Sequence, residues 1–482
     1  MRPSPGPEAQ ARVFRLGLAG IALVTLWRVA LLPFDRADLY VDEAQYWFWG
    51  QELAWGYYSK PPLIGWILRL STAIGGDGLF WIRLPLPLIH AGTAVLVALI
   101  GRRLADARTG ALAGVGFATV PGVALGSLLV STDTPMLFCF ALAMLAQIQL
   151  AARRSPGWAL TLGAAVGTGM LAKYAMIYFP LAAILAALLM PRARISWRDA
   201  GVAALVALAV LAPNLWWNLD NGFTTLRHTA ENASLGAEAR LSLGGMLEFW
   251  GGQFAVSGPI LFAAYLAGLP RARGGGVAGY LALMSAPIFL ALSAQALRAE
   301  VNANWAATAH VAAVVLGILV LRNRRGWLIA SFAVNLAVTI ALPLTTLFAD
   351  SLRLGSGDLL LARYVGRADV SRRAAEIARR EGLDTLVSGD RAILADFFYT
   401  LRDSGLVLRA EPTKGFPPHH YAQKHPLTPG GGDVLLVTRS LDGPACAPGI
   451  TPREVARWTP TDGYSKREIR ALRVPRACWF GS

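Results

Sequence analysis

Charged residues are scarce in this sequence. Only 16% of its 482 residues are Asp, Glu, Lys or Arg, whereas 55% are hydrophobic, and the mean hydropathy is +0.45. Soluble domains carry about 25% charged residues, so the composition excludes an ordinary soluble protein and indicates a membrane protein. The sequence also has no Walker loop, dinucleotide fingerprint, nucleophile elbow or zinc-protease helix, and the enzyme classes that depend on those motifs are not favoured.

Cysteine is also rare, with three residues, and the sequence has no internal repeat, heptad pattern or low-complexity segment. Cys139 lies in an apolar run, as is typical of a small buried side chain. Cys446 and Cys478 lie near the C-terminus and would pair only in an oxidising compartment.

Basic residues outnumber acidic ones, 45 to 30, which gives a formal net charge of +15. The basic residues form short clusters between apolar runs, as in the cytoplasmic loops of multispanning proteins. They do not form the continuous basic face that a nucleic-acid-binding protein needs. We therefore expect no nucleic acid partner.

Apolar runs of about 17 to 25 residues are typical of transmembrane helices. We predict about eleven, which makes the fold mainly α and polytopic. They lie near residues 13–33, 79–101, 109–127, 134–152, 158–172, 174–190, 200–217, 247–269, 277–297, 305–321 and 327–348.

The loops between these runs alternate in charge. Arginine clusters mark every second loop, which the positive-inside rule places in the cytoplasm together with the N-terminus. The alternate loops hold nearly all acidic candidates: Asp35, Asp38, Asp42, Glu43, Asp133, Glu231, Glu238 and Glu300. We therefore expect a bacterial inner-membrane protein whose chemistry lies on the periplasmic side.

The composition changes at about residue 350. We predict a transmembrane domain over residues 1–349 and a small α/β domain over 350–482, with helices at 371–381 and 392–402 and strands at 385–390 and 433–439. An odd number of spans would place this domain in the periplasm, which permits a Cys446–Cys478 disulfide but does not require one.

The first predicted periplasmic loop contains an acid pair, Asp42 and Glu43, followed by Trp47, Trp49, Trp55, Tyr57 and Tyr58. The acids could simply stabilise the first turn of an amphipathic helix over 44–53. Aromatic residues would instead hold the segment at the membrane interface, where a partly desolvated carboxylate can act as a base. Lys60, before two prolines, is either a phosphate ligand or a lysine that reaches to the interface.

Three further charged residues lie beside apolar runs. Asp133, in S-T-D-T-P, either caps the next helix or takes part in the chemistry. Lys173 lies between two apolar runs and Arg83 lies just inside one; a charge so embedded is a functional hypothesis by default.

Later outer loops contain candidates for an acceptor site, namely His228, Glu231, Arg298, Glu300, Asn302, Asn304 and Trp305, although each alone is compatible with ordinary loop surface. His419, His420 and His425 lack Cys or acid partners at ligand spacing, so a metal site there is not favoured.

Three motifs carry a family resemblance: D-E-A-Q-Y-W (residues 42–47), W-G-Y-Y-S-K-P-P-L-I-G-W (55–66) and S-T-D-T-P (131–135). They resemble the membrane glycosyltransferases of the GT-C superfamily. The most similar branch is the protein-O-mannosyltransferase-like group, which includes lipid A aminoarabinose transferases and rhizobial lipopolysaccharide galacturonosyltransferases. The resemblance covers most of residues 10–350.

The resemblance implies a sugar donor carried on a polyprenyl phosphate and transfer to a lipid or glycan acceptor on the periplasmic side. Asp42 matches the catalytic first-loop aspartate, with Glu43 beside it, and Asp133 matches the second acidic motif. Lys60 and Lys173 match lysines near the donor phosphate, and Arg83 could assist them. The His and Glu zinc pair of some aminoarabinose transferases has no clear counterpart, so no ligand set supports a divalent metal and no other cofactor is predicted.

Bond breaking between sugar and phosphate develops negative charge on the phosphate, which basic residues in a low-dielectric pocket can stabilise. Asp42 could accept or orient the proton of an acceptor hydroxyl, and a single displacement would invert the anomeric centre. A transporter or lipid flippase is the main alternative, but it would place ionisable residues near the midplane and show a repeat. A non-catalytic envelope assembly subunit is a further alternative.

Overall fold

The structure is a computed structural model that describes residues 6–232, 241–355, 357–440, 446 and 449–480. Glu238 and the side chain of Glu231 lie outside the described residues. The chain is mainly helical, with one small sheet near the C-terminus.

The α-helices in chain order are α1 (Pro7–Leu31), α2 (Val41–Gln51), α3 (Leu63–Gly75), α4 (Leu79–Arg83), α5 (Pro85–Leu104), α6 (Ala107–Thr119), α7 (Pro121–Gly126), α8 (Asp133–Ala152), α9 (Pro156–Ala172), α10 (Tyr178–Leu189), α11 (Trp197–Asp220), α12 (Thr224–Asn232), α13 (Leu243–Ser257), α14 (Pro259–Gly268), α15 (Gly276–Leu283), α16 (Ala286–Ala296), α17 (Ala309–Leu321), α18 (Arg325–Leu347), α19 (Arg367–Arg380), α20 (Arg391–Thr400), α21 (His420–Lys424) and α22 (Ala477–Phe480). The strands are β1 (Thr385–Ser388), β2 (Val407–Ala410), β3 (Asp433–Thr438), β4 (Arg453–Trp458) and β5 (Ile469–Pro475).

All eleven predicted apolar runs fall on helices, but the predicted number of spans is not confirmed. Within the described residues, six helical segments are long and apolar enough to cross a membrane, and seven if one bent pair is a single span. The six are Pro7–Phe34, Leu79–Leu104, Asp133–Ala152, Trp197–Asp220, Gly276–Ala296 and Arg325–Leu347. The other runs form helices that are shorter or broken.

Two of the predicted runs are interrupted by the backbone. The run 109–127 is divided at Val120, which is extended before Pro121 begins α7, because a residue before proline disfavours helical geometry. The run 247–269 bends by 111° between α13 and α14. Gly258 forms this bend with a φ of +84°, and an added Cβ there would lie 1.8 Å from Asn335 Oδ1. Both observations require glycine at this position.

By its internal contacts the chain divides into two compact units. Unit 1 comprises Met1–Pro33 and Lys60–Pro343, and unit 2 comprises Phe34–Ser59 and Leu344–Ser482. The described part of unit 1 is a helical bundle around one large apolar core. Its helices approach closely at small residues: Gly163 and Gly167 of α9 face Ala203, Val206 and Val210 of α11, as is common where transmembrane helices pack.

Unit 2 is built on a five-stranded sheet in the order β2-β1-β3-β5-β4. The pairs β1–β2 and β1–β3 are parallel, whereas β3–β5 and β4–β5 are antiparallel. The predicted small α/β arrangement of the tail is thus confirmed. Cys446 and Cys478 form a disulfide beside apolar residues of β3 and β5.

Candidate functional site

Asp133, Lys173 and Asn304 meet in unit 1, although they are far apart in the sequence. Lys173 Nζ donates to Asp133 Oδ1 at 2.7 Å, and Asn304 Nδ2 donates to Asp133 Oδ2 at 2.9 Å. The side chains of Asp133 and Lys173 are 12% and 19% exposed. Each carboxylate oxygen is therefore held by a different segment of the chain, and the ammonium group is fixed in direction while it remains accessible.

Local structure explains how these three residues are presented. Asp133 begins α8, and its N–H donates to Ser131 Oγ at 3.1 Å, so serine supplies the polar contact at the helix start. Lys173 lies in the extended residue between α9 and the 3₁₀ turn that precedes α10. Asn304 lies in a 3₁₀ turn after α16. All three residues thus lie at or beside the ends of helices, where segments from different parts of the chain meet.

Buried polar residues support this cluster from behind. Thr134, next to Asp133, contacts His90 Nε2 through Oγ1 at 3.1 Å. Gln253 donates to the carbonyl oxygen of Ala303, beside Asn304, at 3.1 Å, and Gln253 Oε1 lies 2.9 Å from His310 Nε2. Buried polar groups that satisfy one another in this way stiffen the segments that they join.

The other predicted basic residues of unit 1 are not linked to Asp133 by a hydrogen bond or ion pair in the described structure. Arg83 is the last residue of α4 and is buried, and Lys60 is half-buried just before α3. Among the acceptor candidates, His228 is half-buried on α12, whereas Glu300 is exposed in the loop before Asn304. Asn304 is thus the acceptor candidate that the structure brings to Asp133.

Asp42 lies in unit 2, in the first turn of α2, where its side chain is 45% exposed. The guanidinium of Arg391, the first residue of α20, forms an ion pair with Asp42 and also donates from Nε to Gln45 Oε1 at 2.8 Å. Burial disfavours the charged guanidinium, but the Asp42 carboxylate outweighs this effect and raises the pKa of Arg391. The Asp42 side chain is therefore held in a fixed direction by Arg391 while solvent reaches it.

Glu43 has a different environment from Asp42. It is 1% exposed, and its Oε2 accepts the backbone N–H of Tyr40 at 2.9 Å. This is the reciprocal contact of a capping box at the start of α2. Asp38 stabilises the start of α19 in a similar way, because its Oδ2 accepts the N–H of Arg367, the first residue of that helix, at 2.8 Å. Both acids fix helix starts in unit 2.

The aromatic residues after the acid pair are mostly core residues, so their prediction as interfacial anchors is wrong for Trp47, Trp49, Tyr57 and Tyr58. Each is less than 7% exposed. Trp49 stacks on Tyr57 with ring centroids 4.6 Å apart, and Trp47 packs edge-on against Tyr399 of α20. Burial of large aromatic surfaces contributes strongly to stability. Trp55, 48% exposed, is the exception.

Arg391 and Gln45 are candidate site residues that the sequence did not predict. Arg391 follows β1 and the turn Gly389–Asp390, and Asp390 caps α20 through the N–H of Ala392. Residues that follow the carboxyl end of a parallel strand are common functional positions, and this signal could have drawn attention to Arg391. Within the described residues, no three His, Cys, Asp or Glu side chains lie close enough together to hold a metal ion, the three C-terminal histidines included.

Comparisons with known proteins identify the family and the fold of this chain. Residues 59–217 match the family described as dolichyl-phosphate-mannose-protein mannosyltransferase. The chain is 41% identical over 472 residues, covering 96% of this chain and 99% of the relative, to lipid A galacturonosyltransferase RgtD of Rhizobium johnstonii. The chain belongs to the GT-C membrane glycosyltransferases. The predicted family and enzyme class are confirmed.

Solved structures show the same fold for this glycosyltransferase. ArnT from Cupriavidus metallidurans, in the form bound to undecaprenyl phosphate, superimposes with a TM-score of 0.67 at 14% identity, covering 94% of this chain and 97% of ArnT. The apo form gives a TM-score of 0.66 at 16% identity, covering 96% and 98%. The prediction of a multi-pass membrane protein is confirmed.

Proposed function

We propose that this glycosyltransferase transfers a galacturonosyl residue from a polyprenyl phosphate to lipid A. The observation that carries the proposal is the 41% identity, over nearly the whole of both chains, to the lipid A galacturonosyltransferase. The fold shared with a protein that binds undecaprenyl phosphate supports a polyprenyl phosphate as the carrier.

The Asp133–Lys173–Asn304 cluster is the proposed binding site for the donor phosphate. An ammonium group has three N–H donors, and Lys173 uses one of them on Asp133. The other two can stabilise the charge that develops on the departing phosphate, in a partly buried site where electrostatic interactions are stronger than in water. Lys60 and Arg83 are proposed as further phosphate ligands.

Asp42 is the proposed group that accepts or orients the acceptor proton. Its carboxylate is accessible and directed by Arg391, whereas Glu43 is buried and bound to the helix start. Of the two acids, Asp42 is therefore suited to touch substrate, and Glu43 is proposed to position α2. His228 and Glu300 remain proposed acceptor ligands, whereas Asn304, predicted as a third, is proposed instead to hold Asp133 in the donor phosphate site.

The proposed location is the bacterial inner membrane, with a cytoplasmic N-terminus and a periplasmic C-terminal domain over residues 350–482. The alternation of arginine-rich and acidic loops supports this orientation. The Cys446–Cys478 disulfide supports an oxidising compartment for the tail. A single displacement at the sugar would invert its anomeric centre.

A transfer assay tests the proposal. Purified protein in detergent would receive lipid A and a panel of polyprenyl-phosphate sugars, with mass spectrometry of the lipid A. We expect a uronic acid increment with the galacturonosyl donor, and its loss in Asp42→Asn at unchanged membrane insertion.

Glu52→Gln is a matched control for that variant. Glu52 is a carboxylate of the same segment, 46% exposed, and it pairs with His425 rather than with Arg391. Near-normal transfer by Glu52→Gln beside inactive Asp42→Asn would support the role of Asp42. An increment with a different sugar only would overturn the galacturonosyl assignment, and full activity in Asp42→Asn would overturn the role of Asp42.

A further inference from the structure

A cavity of about 290 Å³ lies in unit 1 at the ends of four helical segments. Its walls come from the C-terminal ends of α5 and α8, the turn after α10 and the start of α15. It is distinct from the Asp133 cluster, because Asp133 begins α8 and the cavity residue Ala152 ends it. Twenty helical residues rise about 30 Å, so the two sites lie at opposite ends of α8.

The charged groups of the cavity are Arg103 and Arg192. Both are exposed, and neither guanidinium has a hydrogen bond or an ion pair within the described part of the chain. Two arginines near this end of the bundle are neutralised, since Arg322 pairs with Asp106 at 2.7 Å and Arg154 lies 3.7 Å from Asp199. Arg324 and Arg325 are exposed like Arg103 and Arg192 but do not line the cavity. Within the residues that the structure describes, the cavity therefore carries two positive charges that no carboxylate neutralises.

The rest of the cavity is mostly apolar, with Leu104, Ile148, Met190 and Val277 among its lining residues. Its two uncharged polar side chains contact each other, since Tyr280 donates through its hydroxyl to Gln147 Oε1 at 3.0 Å. A wholly polar anion would gain little from such walls. An anion with a hydrocarbon chain would satisfy the arginines and bury its chain against the apolar side chains.

We propose that this cavity binds an anionic phospholipid, with its phosphate between Arg103 and Arg192 and part of one acyl chain along Met190 and Val277. Basic pockets between transmembrane helices are known to accept anionic head groups, and an arginine near a membrane surface contributes about 1 kcal/mol to such binding. The site is separate from the proposed transfer reaction and does not rest on it.

Native mass spectrometry of the full-length protein, titrated with phosphatidylglycerol or phosphatidylcholine, tests this site. We expect preferential binding of phosphatidylglycerol, weakened roughly 30-fold in Arg103→Gln/Arg192→Gln, which corresponds to about 2 kcal/mol for two arginines. The matched control is Arg324→Gln/Arg325→Gln, which removes the same charge from exposed arginines that do not line the cavity. Val277→Trp, which fills the cavity and keeps both arginines, should also weaken binding.

Several results would overturn the proposal. Equal weakening in the control pair would indicate a general effect of net charge, and equal binding of phosphatidylcholine would show that the arginines do not select an anion. Glycerol phosphate that binds as tightly as phosphatidylglycerol would show that the apolar wall contributes nothing. Retention of undecaprenyl phosphate in place of phosphatidylglycerol would assign the cavity to the polyprenyl carrier.

Discussion

Replacement of Lys173 by Met tests the proposed phosphate site most directly, because methionine keeps an unbranched apolar side chain and removes the ammonium group with its charge and N–H donors. Lys173 Nζ lies 2.7 Å from Asp133 Oδ1, and a preorganised donor at a developing charge is worth about 10² to 10³ in kcat. We expect kcat/KM to fall by a factor in that range.

The fold should survive this change. Removal of one partner of a fully buried pair costs about 3–5 kcal/mol, but Asp133 here keeps its hydrogen bond from Asn304 at 2.9 Å and retains 12% exposure. We therefore expect a loss of about 1–3 kcal/mol in the free energy of unfolding, visible as a modest drop in the melting temperature of the detergent-solubilised protein.

Steady-state kinetics with the galacturonosyl donor, alongside thermal melts, would measure both effects. Ser131→Ala is the control, since it removes a 3.3 Å contact to Asp133 Oδ2 but leaves the Lys173 pair in place. If Lys173 and Asp133 act as a unit, Asp133→Asn/Lys173→Met should be little worse than either single variant. Folded Lys173→Met enzyme with more than a third of normal kcat/KM would refute the assignment.

Three further predictions concern stability. Burial lowers the pKa of His420 to about 3, whereas the unfolded value is about 6.5. The stability of the folded protein should therefore fall as the pH drops from 6.5 toward 3, by up to about 1.4 kcal/mol per pH unit. Thermal melts of His420→Phe should depend less on pH than those of the unsubstituted protein. Replacement of Cys446 and Cys478 by Ala opens a loop with a sequence separation of 32 and should destabilise unit 2 by about 3–4 kcal/mol, whereas an unchanged urea midpoint would contradict this. Gly258→Ala should lower the melting temperature because its Cβ would collide with Asn335, whereas the matched Gly251→Ala, which meets open space, should not.

Much of the fold could be predicted because apolar runs and turn residues act locally. The runs near 134–152 and 327–348 became α8 and α18 almost unchanged. The number of spans could not be obtained in the same way, since hydropathy sums over residues and does not detect a change of direction. The bend at Gly258 depends on the fit between its backbone and Asn335, 77 residues later in the numbering, and no window of sequence contains both.

Several members of the candidate site were predictable, but their contacts were not. Asp133 and Lys173 were predicted because a charged residue beside an apolar run is energetically costly, and such a residue is therefore a functional candidate. Their direct pairing, and the contribution of Asn304, depend on how helices pack. Arg391 was missed because the tail was treated as a separate domain, although its partner Asp42 lies 349 positions earlier. The aromatic residues were misassigned because Trp and Tyr suit both an interface and a core.

The grouping of Phe34–Ser59 with Leu344–Ser482 in one unit affects how the protein folds during its synthesis. The ribosome releases the segment that contains Asp42 nearly three hundred residues before the part of unit 2 against which Trp47 and Trp49 pack. Until Leu344–Ser482 has been synthesised, the hydrophobic core into which this segment packs does not exist. A chimera between relatives should therefore exchange both pieces together, since a tail grafted without its matching early segment would receive foreign aromatic side chains in its interior.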